Sequence, residues 1–250
     1  MRTLAILLFL FVSTITLAQN TNDLFSNANS LYKEGKYEEA IKLYEQIEDG
    51  NAISSELYFN LGNCYYKLNK VAPSIYNYEK ALQLNPLNED AENNLILAKR
   101  LTLDRIEALP KSIFQKFNEN YLQKFTYNTW GVITIVLSFI TSILFLLFYF
   151  SDASNKKRMY FTSSIISFLL LAVSLVISYT QYSQSKNTIE AIIFAEEISV
   201  NNEPTSSSSE VFTLHEGTKV NVLDSVDNWK KIKLSDGKIG WVPSENLKEL

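Results

Sequence analysis

Two long stretches without a charged residue constrain this sequence most strongly. They cover 130–150 and 159–179, with 21 residues in each. An α-helix needs about 20 mostly apolar residues to cross the ~30 Å hydrocarbon core of a bilayer, so both stretches are predicted to be transmembrane helices. Neither contains an ionisable residue, which argues against a pump, a transporter or a proton relay, because those functions usually place charge inside the membrane.

The link between the two stretches, residues 151–158, is short and basic. It carries Lys156, Lys157 and Arg158. Short loops rich in Lys and Arg remain in the cytoplasm, so this loop is predicted to be cytoplasmic. Because two spans return the chain to its starting side, residues 19–129 and 180–250 are expected on the extracytoplasmic side of the membrane.

The N-terminus, residues 1–18, has the pattern of a secretory signal peptide. Arg2 precedes the apolar run 4–12, and Thr16 and Ala18 put small residues before a predicted cleavage site. This three-part order is typical of a cleaved signal. The alternative is an uncleaved anchor helix, although the apolar run is short for a span.

Residues 111–126, directly before the first span, combine apolar and basic residues at helical spacing. The pattern predicts an amphipathic helix that lies in the membrane interface, with its lysines toward the lipid headgroups. The alternative is a helix packed on a neighbouring domain. The apolar positions are Ile113, Phe114, Phe117, Tyr121, Leu122 and Phe125, and the charged ones are Lys111, Lys116, Glu119 and Lys124.

The composition excludes several classes of function. The 250 residues carry a net charge of −4 and no strongly basic segment, which argues against nucleic-acid binding. One cysteine excludes a disulfide framework and a cysteine-based zinc site, and one histidine excludes chemistry that needs paired histidines. Since no nucleophile–base pair or phosphate loop can be assembled either, we expect no enzymatic activity, no cofactor and no metal.

The N-terminal region contains a 34-residue repeat. Its second copy has an aromatic residue, Leu-Gly, a tyrosine, a small residue, an aromatic residue, an alanine and a final proline at fixed spacing. This resembles the tetratricopeptide repeat (TPR), in which a small residue lies where two helices cross and the proline starts a turn. The second copy uses Tyr58, Leu61, Gly62, Tyr65, Ser74, Tyr78, Ala81 and Pro86, and the first uses Leu24, Ala28, Leu31, Gly35, Ala40, Tyr44 and Ile47.

The second repeat departs from the TPR consensus at two positions. Asn69 stands where glycine is usual, and Pro73 is expected to shorten or kink the second helix. Residues 88–107 are predicted to form one capping helix with no partner helix after it. The predicted TPR domain, 21–107, therefore has about two and a half repeats, near the minimum for stability.

TPR arrays bind peptides in a concave face lined by the first helix of each repeat. The resemblance implies a partner-binding groove in which each repeat contributes a phenylalanine, an asparagine, a tyrosine and a lysine. The alternative is that these residues serve folding and solubility. The candidate residues are Phe25, Asn29, Tyr32, Lys33, Phe59, Asn63, Tyr66 and Lys67.

From residue 188 the pattern changes to short, nearly alternating strands separated by turn residues, which indicates a small all-β barrel of five strands over 188–250. The stretches 214–220 and 228–243 resemble bacterial SH3 domains. Trp229 and Trp241 are candidates for a cell-wall ligand surface, or else belong to the core. His215 is expected at the surface beside a turn.

The loop 201–209 replaces an arginine-rich segment that the resemblance to bacterial SH3 domains would lead us to expect. It contains one proline and four serines, and this composition favours a flexible loop. The substitution weakens the expectation of a cell-wall peptide site.

The order of these segments is uncommon. It resembles the TPR/SH3 (BatE-type) member of the Bacteroides aerotolerance (Bat) operon. The resemblance implies a protein of the bacterial inner membrane that works beside von Willebrand A-domain proteins and a MoxR-type ATPase in envelope stress tolerance. A motif between the TPR and the first span also carries it: Arg100, Asp104, Arg105, Ile106, Glu107, Leu109 and Pro110.

These observations predict a multidomain protein with an α-helical TPR solenoid, a two-helix transmembrane hairpin and a C-terminal all-β SH3-like barrel. Two functions fit. The first is a membrane-anchored adaptor whose TPR groove binds a partner protein. The second is a sensor or tether that binds peptidoglycan through the SH3-like domain.

Overall fold

A computed structural model describes residues 21–250, which form two compact units. One unit contains the residues up to Leu109 together with Glu190–Leu250, and the other contains Pro110–Ile189. The predicted signal peptide, 1–18, lies outside the described residues. The predicted fold class is confirmed: TPR-like helices, two long apolar helices and a C-terminal antiparallel sheet.

The TPR region consists of antiparallel helix pairs. Helix α1 covers 21–33, and it is followed by α2 (Tyr37–Asp49), α3 (Ser55–Lys67), α4 (Val71–Leu84) and α5 (Glu89–Lys99). Side chains spaced by 34 residues occupy equivalent places, because Tyr44 and Tyr78 are both fully buried. The same spacing explains the turns, since Gly35 and Asn69 have φ values of 78° and 55°. Asparagine tolerates this left-handed conformation better than most residues.

The expectation that Pro73 shortens or kinks α4 is wrong. Helix α4 has 14 residues, against 13 for α2. Pro73 is the third residue of α4, and the N–H groups of the first turn have no intrahelical acceptor. The missing N–H of proline therefore costs nothing there.

The close crossing of α3 and α4 depends on Gly62. A Cβ atom at this position would lie 2.6 Å from the ring of Tyr78. We expect Gly62→Ala to destabilise the TPR helices by about 1–3 kcal/mol, because an overpacked core must shift its backbone or its rotamers. Thermal unfolding of the full chain in detergent measures the change. Gly50→Ala is the matched control, since its added Cβ meets nothing closer than 3.4 Å; equal destabilisation by both substitutions would contradict this packing argument.

The predicted capping helix is shorter than expected. Helix α5 ends at Lys99 instead of continuing to about residue 107. The chain leaves the helix because the following residues make other contacts: Thr102 Oγ1 donates to the Lys99 carbonyl, and Asp104 accepts hydrogen bonds from the C-terminal domain.

The C-terminal domain is one seven-stranded sheet with the strand order β3-β2-β6-β5-β4-β1-β7. The sequence prediction of five strands missed β2 and β7. The strands are β1 (Ile189–Ile193), β2 (Glu197–Asn201), β3 (Glu210–His215), β4 (Lys219–Val226), β5 (Trp229–Lys233), β6 (Ile239–Pro243) and β7 (Leu247–Glu249). Alternating side chains of these strands form one core, which includes Val200, Val220, Ile232 and Val242.

The loop 201–209 has internal structure that its composition did not predict. Asn201 Nδ2 donates to the Thr205 carbonyl, and the Asn202 N–H donates to the Ser209 carbonyl. Ser208 Oγ accepts from the Glu203 N–H. These bonds close the loop on itself between β2 and β3.

The second unit contains the two long apolar helices, α7 (Tyr127–Phe150) and α8 (Ser154–Asn187). Both are long and apolar enough to cross a membrane. Helix α8 begins at Ser154, so 154–158 of the predicted loop are helical. The helices pair through small polar side chains: the hydroxyls of Thr134 and Ser174 lie 3.0 Å apart, and those of Thr141 and Ser167 lie 2.8 Å apart.

The predicted amphipathic helix over 111–126 is broken into pieces. A short helix, α6 (Ile113–Phe117), starts at a capping box of Ser112 and Gln115 and is followed by a π-helical turn, Asn118–Leu122. Ile113 and Phe114 are 84% and 87% exposed. The Leu122 carbonyl accepts from Trp130 Nε1 and Gln181 Nε2, which ties this segment to both long helices.

Candidate functional site

The two candidate asparagines of the groove make the same pair of hydrogen bonds in each repeat. Asn29 Oδ1 accepts from the hydroxyl of Tyr44 at 2.6 Å and from Asn60 Nδ2 at 3.1 Å. Asn63 Oδ1 accepts from the hydroxyl of Tyr78 at 2.7 Å and from Asn94 Nδ2 at 2.8 Å. Each bond therefore recurs after 34 residues, and the two carboxamides are held in one orientation by their buried tyrosines.

This orientation leaves a hydrogen-bond donor free in each repeat. The oxygen of each carboxamide is occupied, and within residues 21–250 the Nδ2 atoms of Asn29 and Asn63 have no protein partner. Both residues are half-buried. A fixed amide donor at a half-exposed position can bind a carbonyl or carboxylate oxygen of a partner at little cost in side-chain entropy.

Lys33 and Lys67 lie one helical turn beyond these asparagines. Residues four apart share a helix face, so each repeat presents an amide donor followed by an ammonium group. Both lysines are exposed, and neither has an ion pair within the described residues. The resulting surface offers donors and positive charge at two matching places.

The four aromatic candidates are half-buried and pack on the core. Phe25 meets Tyr44 edge-on at 5.7 Å, and Phe59 lies 6.2 Å from Tyr78. Tyr32 packs on the first-repeat core, and Tyr66 packs on the core around α4. These rings fix the helix face that carries the asparagines and lysines, and each leaves part of its surface accessible.

The ladder changes character at α5. Thirty-four residues after Asn63 and Lys67 stand Leu97 and Leu101, which are 42% and 46% exposed. The groove surface therefore runs from two polar, cationic steps to an apolar one.

Cys64 is a core residue, as expected for a small side chain at this TPR position. It is fully buried, and burial raises the pKa of its thiol to about 12. We expect iodoacetamide at pH 8 to leave Cys64 unmodified in the folded full chain and to alkylate it completely after denaturation, because the reactive species is the thiolate. Mass spectrometry measures the modification. Ser206→Cys, in the exposed 201–209 loop, is the positive control, and alkylation of both sites at equal rates would contradict the assignment.

Trp229 and Trp241 lie on the same face of the β5–β6 pair. Trp229 pairs with Pro243, and Trp241 pairs with Lys231, whereas Ile232 pairs with Gly240 on the opposite, buried face. Both tryptophans are half-buried and outside the core. Lys231 Nζ lies 5.7 Å from the centre of the Trp241 ring.

The expectation that His215 is a surface residue is wrong, because it is half-buried against Asp104. The Asp104 carboxylate accepts from the His215 N–H at 2.8 Å and from Thr218 Oγ1 at 2.6 Å, and it lies 2.8 Å from His215 Nδ1. Burial would raise the pKa of Asp104, but these hydrogen bonds and the histidine hold it below its usual value.

Glu79 of α4 forms a second charged contact with the C-terminal domain. Its carboxylate lies 2.7 Å from Lys99 Nζ and 2.9 Å from Lys219 Nζ, and Lys219 also pairs with Glu190 at 2.8 Å. The Glu79 side chain is only 10% exposed. Burial would raise the pKa of Glu79, but the charges of Lys219 and Lys99 outweigh burial and lower it. The pKa of Lys219 is raised, because the two carboxylates outweigh its own burial.

Sequence reasoning missed the residues that orient the groove and those that join the two domains. The hydroxyls of Tyr44 and Tyr78 and the amides of Asn60 and Asn94 were not singled out. Their shared 34-residue spacing was a signal that could have found them.

Comparisons with known proteins agree with this architecture. A model of the tetratricopeptide repeat matches residues 55–88, and a model of the bacterial SH3 domain matches residues 200–248. No curated protein matches the chain. Fold and comparisons together define a class: a chain with TPR helices, two long apolar helices and a bacterial SH3 domain.

Proposed function

We propose that this protein is a non-enzymatic, membrane-anchored adaptor whose TPR groove binds an extended segment of a partner protein. The observation that carries the proposal is the repeated pair of oriented carboxamides, Asn29 and Asn63. Each is fixed by a buried tyrosine hydroxyl and keeps a free N–H donor. Consensus packing alone does not require a free donor at a half-exposed position.

The groove chemistry selects the kind of partner. Two amide donors and two ammonium groups fit a segment that presents carbonyl oxygens and acidic side chains. Leu97 and Leu101 continue the same surface, and they fit an apolar residue at one end of that segment.

Site-specific photo-crosslinking in native membranes tests this function. A photoreactive amino acid replaces Lys33 or Lys67 in the full-length protein, and mass spectrometry identifies the products. Lys42, which is exposed on α2, is the matched control position. We expect one partner protein to be cross-linked from both groove positions and not from position 42. Equal products from all three positions would overturn the groove proposal.

Membrane anchoring is supported by the two long apolar helices and by the contacts inside the first unit. TPR helix α4 and the C-terminal domain share buried contacts, so they belong in one compartment. The chain between them must then cross the membrane an even number of times, and α7 and α8 supply two crossings. The basic residues 156–158 favour a cytoplasmic connection between these helices, so we propose that the TPR and SH3-like domains lie on the extracytoplasmic side of the bacterial inner membrane.

The cellular setting that we propose follows from the resemblance to the Bat operon. In that setting the adaptor works in an envelope stress or aerotolerance complex, and its partners are membrane-anchored von Willebrand A-domain proteins. The exposed apolar side chains of 111–126 and the nearby lysines are proposed to lie in the lipid interface beside these partners.

A second candidate function is a peptidoglycan sensor or tether. It is supported by the match to bacterial SH3 domains and by the shared, half-exposed face of Trp229 and Trp241. If this function is correct, the full chain in detergent should co-sediment with purified peptidoglycan. The double variant Trp229→Ala/Trp241→Ala should then weaken binding about tenfold or more, because aromatic anchors dominate such contacts. Trp130→Ala, outside the SH3-like domain, is the control, and a wild-type chain that stays in the supernatant would remove this candidate.

A further inference from the structure

The two TPR repeats differ on the outer face of their second helix. On α2 this face is charged and exposed, as expected for a helix that faces water. On α4 the three equivalent residues are buried. The pairs, 34 residues apart, are Glu38 and Ala72, Lys42 and Tyr76, and Glu45 and Glu79.

The C-terminal domain covers this face of α4. Ile192 of β1 belongs to the same buried cluster as Ile75 and Tyr76. The ring of Phe194 meets Tyr76 edge-on at 5.8 Å, and Lys248 Nζ lies 4.5 Å from the centre of the same Tyr76 ring. The apolar residues of α4 are therefore matched by apolar and aromatic residues of the sheet.

The turn between β3 and β4 makes the closest approach. A Cβ atom on Gly217, whose φ is +84°, would lie 2.8 Å from Thr102 Cγ2 and 2.9 Å from Ile75 Cδ1. The neighbouring Glu216 accepts from the N–H of Ala72 at 3.3 Å. Helix α4 has no side-chain cap of its own at Lys70, so a residue of the C-terminal domain satisfies one of its free N–H groups.

The segment 100–109 binds along the C-terminal domain before the chain enters the second unit. Asp104 binds His215 and Thr218, and Ile106 packs on the core of the sheet. The Leu109 N–H donates to the Ser235 carbonyl at 3.0 Å. These contacts account for three conserved-looking features of this sequence motif, its acidic residue and its two apolar residues, which no groove contact explains.

We propose that the TPR helices and the SH3-like domain fold and open as one cooperative unit, into which residues 110–189 are inserted. The segment 100–109 is the strap that holds the two parts together, and the SH3-like domain is the cap that ends the TPR array. Separation would expose the apolar face of α4 and leave Glu79 without Lys219. Both losses oppose independent opening. This proposal does not depend on the ligand of either domain.

Hydrogen exchange of the full chain in lipid nanodiscs tests the coupling. Val242 is fully buried in the sheet and belongs to a cluster separate from that of α4. We expect Val242→Ala to accelerate exchange about tenfold or more in β-strand amides and also in α4, because one opening exposes both. Acceleration confined to residues 190–250 would overturn the proposal. Val136→Ala, an exposed position on α7, is the matched control and should leave both regions unchanged.

A second pair of variants keeps the test decisive if Val242→Ala does not fold. Gly217→Ala and Gly237→Ala both place a side chain at positive φ in a turn of the SH3-like domain. Only the first meets Ile75 and Thr102 below 3.0 Å; the second meets nothing closer than 3.4 Å. We expect Gly217→Ala to accelerate exchange in α4 more than Gly237→Ala does, and equal effects on α4 would contradict the role of this junction.

Discussion

Replacing Asn29 and Asn63 by aspartate should abolish partner capture while the TPR helices remain folded. The carboxylate keeps an acceptor for Tyr44 and Tyr78, but it removes both free N–H donors and adds negative charge beside an acidic partner segment. Two lost hydrogen bonds to charged or carbonyl groups predict a loss in affinity of about 100-fold. Photo-crosslinking from position 67 measures capture, and far-UV circular dichroism checks the fold.

The choice of substitution decides what this experiment reports. Alanine would leave the buried hydroxyls of Tyr44 and Tyr78 without acceptors at a cost of about 1–3 kcal/mol each, and lost capture would then also report unfolding. Asn22→Asp combined with Asn202→Asp is the matched control, since it adds the same charge at exposed positions. Retained capture by Asn29→Asp/Asn63→Asp would sink the groove model.

Lys219→Met should be the most destabilising single change at the junction of the two domains. It removes one of two cations from Glu79 and leaves a carboxylate that is 10% exposed. We expect a loss of about 2–4 kcal/mol, because an incompletely paired buried charge is costly. Lys99→Met should cost less, since the Lys99 side chain is 44% exposed against 30% for Lys219. Thermal unfolding of the full chain in detergent compares them, and the reverse ranking would contradict this account.

The pH dependence of the same variant has a defined sign. The lowered pKa of Glu79 makes its contribution complete above the ordinary carboxyl pKa of about 4.3 and removes it as the pH falls through the lowered value. The raised pKa of Lys219 makes its contribution complete below about 10.4 and removes it as the pH rises through the raised value. The gap between wild type and Lys219→Met should therefore be widest between about pH 5 and pH 10 and shrink on either side.

Local pattern predicted the elements whose stability is local. The 34-residue spacing predicted the helix pairs, and charge-free runs predicted α7 and α8, because each pattern maps directly onto a helix face or length. Short strands were harder: β2 and β7 are only five and three residues long, and their pairing is set by distant strands.

The contacts between the domains required the structure. Asp104 and His215 are 111 residues apart, and Glu79 and Lys219 are 140 apart, so no local period connects them. One signal was nevertheless present. At the outer face of the second repeat, Tyr76 replaces Lys42, and an aromatic residue where a repeat should be charged indicates a covered surface.

Affinity capture of the full-length protein from native membranes, after cross-linking and with quantitative mass spectrometry, tests the adaptor function most directly. The account predicts a protein partner recovered in stoichiometric amount and lost in Asn29→Asp/Asn63→Asp, with membrane-anchored von Willebrand A-domain proteins as the specific expectation. Recovery of muropeptides without a stoichiometric protein partner would contradict it and would instead support the tether through Trp229 and Trp241.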